Sequence, residues 1–285
     1  MAKVSAPRSS GVSVRERRLL EPESALTGIA IARTGQGYPT VPAPTFGWAG
    51  PATIAPPTKE AALEPWYHAC RIVLIPPFKL WFNWRFEGIE RLPSEGAMIV
   101  AGNHLSYLDP FAHAYFVVHG GRRPRFLAKA ELFENPFLRT VLRGTGQIPV
   151  RRGTGDQAPL EEASRALETG EVVVVYPEGT STSNPDFLPA RGKTGVVRLA
   201  ITSQVPILPV ATWGGQYVWR RGEDRSIEFG RPIWLKAGEP IDVSRYLEQA
   251  DDVRALRRVT DDLMLELTRL VEDLRDRYPK RWSRR

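Results

Sequence analysis

Four consecutive valines, at positions 172–175, lead into Tyr176 and constrain the fold more than any other segment. β-Branched residues favour extended backbone. A strand apolar at every position has both faces covered, as in the middle of a parallel sheet flanked by helices. Similar short runs recur at residues 98–101, 125–128, 147–150 and 207–213. Helix-like stretches separate them at about 110–118, 136–142, 159–168 and 192–203. This alternation predicts an α/β domain with a single, largely parallel sheet. Residues 226–229 and 232–235 read as a late strand pair. Val253, Leu256, Val259, Leu263, Leu267, Leu270 and Leu274 recur at three- and four-residue spacing, which predicts a final core-packing helix.

The flanking regions differ in composition. Residues 1–60 are rich in Pro, Gly, Ser, Thr and Ala, with Pro39, Pro42, Pro44, Pro51, Pro56 and Pro57 breaking any regular pattern. Such a segment buries too little apolar surface to offset its ordering entropy, and a disordered tail is expected. Residues 61–90 form an amphipathic segment in which Trp66, Tyr67, Trp81, Phe82, Trp84 and Phe86 alternate with His68, Arg71, Lys79 and Arg85. Pro76-Pro77 divides it, so it reads as a pair of helices packed on the domain. Its aromatic and cationic residues also suit a membrane interface, where rings lie at headgroup depth. Residues 91–280 are then the folded domain.

A formal charge of +7, carried mostly by Arg, suits phosphate-bearing partners. Cys70 is the only cysteine, which excludes internal disulfides and Cys-rich zinc sites. No apolar run approaches the ~20 residues needed to cross a bilayer. The N-terminus lacks a secretory pattern, so the expected location is the cytoplasmic face of the cell membrane, held peripherally.

The chemistry concentrates in two segments. In residues 102–110, Gly-Asn-His-Leu-Ser-Tyr-Leu-Asp-Pro, the carboxylate of Asp109 follows the imidazole of His104 by five residues, just after a strand. A carboxylate that binds one ring nitrogen fixes the tautomer and leaves the other to take a proton. Asp109 before Pro110 also fits a helix N-cap, and it can serve in both roles. Asn103 is expected to brace the turn, with Ser106 as a loop residue. The second segment, Tyr176-Pro-Glu-Gly-Thr, follows the valine strand, and Arg151 and Arg152 follow the strand ending at Val150. Ligands of open parallel sheets bind beyond the carboxyl ends of the strands, so all three groups are expected at one edge. Arg152, Gly179, Thr180, Ser181 and Lys193 are candidates to hold an anionic substrate. Glu178 is a candidate for substrate contact or for a brace on the loop.

Other chemistries lack their residues. There is no Gly-x-Ser-x-Gly elbow. Gly192-Lys193-Thr194 lacks the upstream Gly of a phosphate-binding loop. His104, His113 and His119 have no metal-ligand spacing, and the latter two read as helix residues. No nucleic-acid-binding motif is present.

The chain resembles the glycerolipid acyltransferase superfamily of the PlsC type through four blocks in order. These are Asn103-His104 with Asp109; Lys129-Ala-Glu-Leu-Phe through Gly146-Gln-Ile-Pro-Val-Arg-Arg; Tyr176-Pro-Glu-Gly-Thr-Ser-Thr; and Val205-Pro-Ile-Leu-Pro-Val. The third block departs from the family's Phe-Pro-Glu-Gly-Thr-Arg-Ser, with Tyr for Phe at 176 and Ser181 where the family has a phosphate-clamping Arg. The resemblance implies a catalytic base in His104 and Asp109 and an acceptor-phosphate site in the second and third blocks, with Arg152 as the matching arginine. Arg151, Arg191 or Lys193 would replace the missing cation. It implies transfer of a fatty acyl group from acyl-CoA or acyl carrier protein to the hydroxyl of a lysophospholipid, most simply 1-acylglycerol 3-phosphate, to form phosphatidic acid, with no metal or cofactor. The alternatives are another lysophospholipid or glycolipid acceptor, or a non-catalytic lipid-binding protein of the same fold.

Overall fold

The computed structural model describes residues 60–151, 157–220, 222 and 225–283. The expected disordered tail and Arg152 lie outside these residues. The sheet is built from β1 (Asn83–Glu87), β2 (Met98–Gly102), β3 (Pro124–Lys129), β4 (Ile148–Val150), β5 (Val172–Val175), β6 (Ile207–Trp213) and β7 (Pro232–Ala237). Their order across it is β1-β7-β6-β2-β5-β3-β4. The five strands from β6 to β4 are mutually parallel, whereas β7 runs antiparallel to β6 and carries β1 parallel beside it.

Strand alternation sorts the core onto two faces. Ile99, Ala101, Val173 and Ile207 point to the side covered by α4 (Ala158–Glu168), α5 (Gly195–Ser203) and α6 (Val253–Arg277). Met98, Val100, Val172, Val174, Leu208 and Val210 point to the opposite side, under α2 (Asp109–His119). Val172, Val173 and Val174 are all buried, as expected for a strand covered on both faces. Of the α6 stripe, only Val253, at the helix start, is exposed.

Three expectations are corrected. Residues 226–229 form no strand; β7 pairs instead with β6 and β1. The helix expected from about 192 begins at Gly195. The segment around Pro76-Pro77 is one helix rather than two: α1 runs from Glu60 to Trp81 with Pro65, Pro76 and Pro77 inside it. Each proline removes one intrahelical donor. The carbonyls deprived by Pro76 and Pro77 belong to Ile72 and Val73, both on the exposed side, where solvent can bond them. α1 rests on α3 (Pro136–Gly144), where a Cβ at Gly144 would come within 2.5 Å of the Trp66 ring, and on α2, where Phe78 stacks on Phe111. The chain then enters the sheet at Asn83, inside the stretch expected at the interface. Among the described residues, no helix is long and apolar enough to cross a membrane.

Candidate active site

β2 is central, and the chain leaving it turns over the carboxyl edge of the sheet before entering α2. Asn103 ties the start of that turn to β6, donating from Nδ2 to the Thr212 carbonyl at 3.1 Å and accepting from its N–H at 2.7 Å. Asp109 closes the turn from the far end. Its Oδ2 accepts the N–H groups of Leu105 and Ser106 and the Nδ1–H of His104 at 3.0 Å. Its Oδ1 accepts the Ser106 hydroxyl at 2.7 Å. The carboxylate therefore folds back into the turn instead of capping α2, which has no side-chain cap. Ser106 is a loop residue with a holding role. An ionised carboxylate only accepts, so His104 donates from Nδ1 and Nε2 is left as the acceptor.

Asp109 is fully buried, and the His104 ring reaches the surface with 11% of its area. A fixed, desolvated carboxylate behind a partly open imidazole is the arrangement of a general base.

The segment after β5 meets this turn from the other side. Glu178 is buried, and both of its oxygens accept backbone donors: Oε1 the His104 N–H at 3.1 Å and Oε2 the Ala190 N–H at 2.8 Å. Burial pushes its carboxyl above the usual value, against the opposite pull of those two bonds. Glu178 thus braces the base's turn against residues 188–190. Thr182 adds a backbone bond to the His104 carbonyl at 2.8 Å. Gly179 has φ +73°, a left-handed conformation that glycine adopts freely, and its N–H bonds the Tyr176 carbonyl at 2.9 Å. Lys193 lies along it: a Cβ at Gly179 would come within 2.9 Å of Nζ and 3.1 Å of Cε. Thr180 and Lys193 are exposed and Ser181 is half-buried. Gly179 and Lys193 thus lie together, and Thr180 and Ser181 lie on the stretch between Glu178 and Thr182, both of which bond the His104 backbone. Arg151 leaves the same edge but follows β4, three strands from β2 or roughly 14 Å across the sheet.

Two contributors were not legible in the sequence. The Tyr176 ring stacks on the His104 imidazole, centroids 4.4 Å apart and planes 22° from parallel. The chain after β6 forms the remaining wall: a Cβ at Gly215 would come within 2.6 Å of the Ser106 hydroxyl and 3.0 Å of Asp109 Oδ1. Tyr107 donates its N–H to the Trp219 carbonyl at 3.0 Å. The Gly214-Gly215 pair ending a strand was the only signal for that wall. Among the described residues, no three His, Cys, Asp or Glu side chains gather as a metal site.

The chain is similar to known proteins. A family model described as Acyltransferase matches residues 83–213, from β1 to the end of β6. A 1-acyl-sn-glycerol-3-phosphate acyltransferase of Bacillus subtilis is 26% identical over 147 residues, 50% of this chain and 70% of its own. One from Borreliella burgdorferi is 30% identical over 133 residues, covering 44% of this chain and 49% of that protein. The crystal structure of the 1-acyl-sn-glycerophosphate acyltransferase PlsC from Thermotoga maritima aligns with a TM-score of 0.54 at 26% identity, covering 78% of this chain and 81% of that one. Residues 83–213, which hold His104 and Asp109 as described, thus form a domain of the acyltransferase family, similar to PlsC-type enzymes, and the chain is an O-acyltransferase.

Proposed function

We propose that this protein acylates the free hydroxyl of 1-acylglycerol 3-phosphate, with acyl-CoA or acyl carrier protein as donor, forming phosphatidic acid at a membrane surface. The observation that carries the reading is the 3.0 Å bond from His104 Nδ1 to buried Asp109, with Nε2 left as the acceptor. The acceptor hydroxyl gives its proton to Nε2 as its oxygen attacks the thioester carbonyl. The new C–O bond forms, the C–S bond breaks, and the departing sulfur takes the proton from the imidazolium.

Lys193 is the cation for the acceptor's phosphate. It lies over the Glu178-Gly179-Thr180 turn, next to the position where the related block has Arg and this chain has Ser181. The N–H and hydroxyl groups of Thr180 and Ser181 complete the site, and Arg191, two residues before Lys193, adds positive charge. A point-charge ammonium is less selective for phosphate geometry than a guanidinium. That difference favours, as a second reading, a lysophospholipid with a larger headgroup or a glycolipid.

The protein docks peripherally on the cytoplasmic face of the membrane through α1. Trp66, Ile72, Val73, Leu80 and Trp81 are exposed on that helix beside Arg71 and Lys79, and Phe137 and Leu138 are exposed on adjacent α3. Apolar side chains flanked by cations suit an anionic lipid surface.

The test is thiol release from oleoyl-CoA by purified protein, with and without 1-acylglycerol 3-phosphate, beside His104→Ala. Acceptor-dependent release absent from the variant supports the reading. Release that depends only on a different acceptor supports the second one, and release unchanged by His104→Ala removes the base.

A further inference from the structure

Below the catalytic turn lies a buried imidazole that the proposed reaction does not use. His113, one turn into α2, has no exposed surface. Gly102 at the end of β2 makes room for it: a Cβ there would come within 2.5 Å of Nε2. Three oxygen atoms surround the ring. The Val210 carbonyl is 3.0 Å from Nε2, the Asp109 carbonyl is 2.9 Å from Nδ1, and the Tyr176 hydroxyl is 3.3 Å from Nδ1. The two carbonyls can only accept, whereas the hydroxyl can donate.

Burial lowers the pKa of His113 from its ordinary value, outweighing the Val210 carbonyl, the Asp109 charge and the Asp109 carbonyl, and so favours the neutral imidazole. A neutral ring has one N–H and one lone pair. With Nε2–H donated to Val210, the lone pair on Nδ1 needs a donor, and among these neighbours only Tyr176 supplies one. Burial, reinforced by the Asp109 charge, also pushes the phenol well above its usual value, so it keeps its proton. The same Tyr176 ring stacks on the His104 imidazole and meets His113 edge-on.

We propose that Tyr176 and His113 are a positioning pair for the base: the hydroxyl, donated to His113 Nδ1, fixes the plane of the phenol ring, and that ring holds the His104 imidazole with Nε2 at the open edge. Neither residue exchanges a proton with substrate. The pair accounts for Tyr176 standing where the related block has Phe. A phenylalanine would leave Nδ1 of His113 facing only the Asp109 carbonyl, a contact favourable only once that nitrogen is protonated. The other titratable groups around His113 are the Asp109 carboxylate and His104.

The proposal rests on His104 being the base, so its test has one arm that needs turnover and one that does not. Nitrogen NMR of histidine-labelled, full-length protein reads the tautomer directly. Near neutral pH, His113 should be neutral with its proton on Nε2, and in Tyr176→Phe it should titrate at higher pH. In the acyl-transfer assay, Tyr176→Phe should lower kcat roughly three- to tenfold, with KM for donor and acceptor unchanged. Its acid limb should move to lower pH, because a His113 cation near His104 disfavours protonation of the base. Tyr176→Phe combined with His113→Leu removes the stranded lone pair and should recover most of the loss. A wild-type His113 protonated on Nδ1, or on both nitrogens, would overturn the pair. So would a folded Tyr176→Phe variant with unchanged kcat and acid limb. Absence of turnover in the wild type would instead count against the acyl-transfer reading, and the NMR arm would still decide the pair.

Discussion

Asp109 accepts four hydrogen bonds within a single turn, from His104, from Ser106 twice and from Leu105. Asparagine fits the same volume but offers one acceptor oxygen and turns two donors toward donors. Asp109→Asn should therefore lower kcat roughly a thousandfold or more, through loss of the imidazole's partner and tautomer. Circular dichroism should still report a folded protein; near-normal turnover would show that Asp109 does not orient His104. Glu178→Gln tests a different role. One of its two backbone bonds is lost, so the turn loosens, and kcat should fall while acceptor KM stays within about twofold, an estimate for a group that only braces. A large rise in acceptor KM alone would mean that Glu178 touches substrate. The imidazole-carboxylate pair was legible because both members sit five residues apart after one strand. The work of Glu178 was not, because its partners are backbone N–H groups 74 and 12 residues away, which no side-chain pattern records. Tyr176 escaped notice for a similar reason, since its ring meets His104 only after two strands are aligned.

α1 is the element whose surface is least explained by the fold. Ile72 and Val73 are 72% and 66% exposed on a helix whose other side reaches α3 and α2. Replacing both with glutamate should weaken co-sedimentation with vesicles containing anionic lipid, each exposed aliphatic group contributing roughly 1–2 kcal/mol when buried in lipid. Turnover of a short-chain, water-soluble acceptor should be unaffected. Unchanged sedimentation would remove α1 as the docking element. Most elements were legible because strands and helices here bury continuous or strictly periodic apolar stripes. β1 was hidden because Trp84 and Phe86 sit within an aromatic cluster that also suits a helix, and pairing with β7 is a tertiary fact. The supposed strand at 226–229 failed for the converse reason: Gly230 turns the chain with φ +78° and bonds its N–H to the Trp81 carbonyl at 2.8 Å, leaving Ile227 and Phe229 exposed.

Across the whole molecule, one charged network ties the antiparallel end of the sheet to the last helix. Glu87 of β1 accepts two bonds from Arg277 at 2.8 and 3.0 Å, and Lys236 of β7 meets Asp273 of α6 at 2.7 Å. The hydrogen bond from Arg277 holds the Glu87 carboxyl below its ordinary value. A carboxyl depressed on folding stabilises the native state above its unfolded pKa, about 4.3, and that stability is lost as pH falls through the lower folded value. Melting temperature should therefore decline more steeply below about pH 4.3 in the wild type than in Arg277→Ala, which should itself cost about 1 kcal/mol or less at neutral pH. Parallel acid profiles for the two proteins would show the network to be energetically silent. The sheet's overall plan followed from the apolar runs, but this closure did not, because it depends on β7 reversing direction beside β6.

The bond between Asn103 and Thr212 spans 109 residues of chain. During synthesis, His104 and Asp109 leave the ribosome long before the strand that anchors their turn has been made. Contacts this distant in sequence also form late in folding. A nascent or truncated chain ending before β6 therefore holds both reactive residues in an unassembled turn, and acyl-transfer competence switches on only when the sheet is complete.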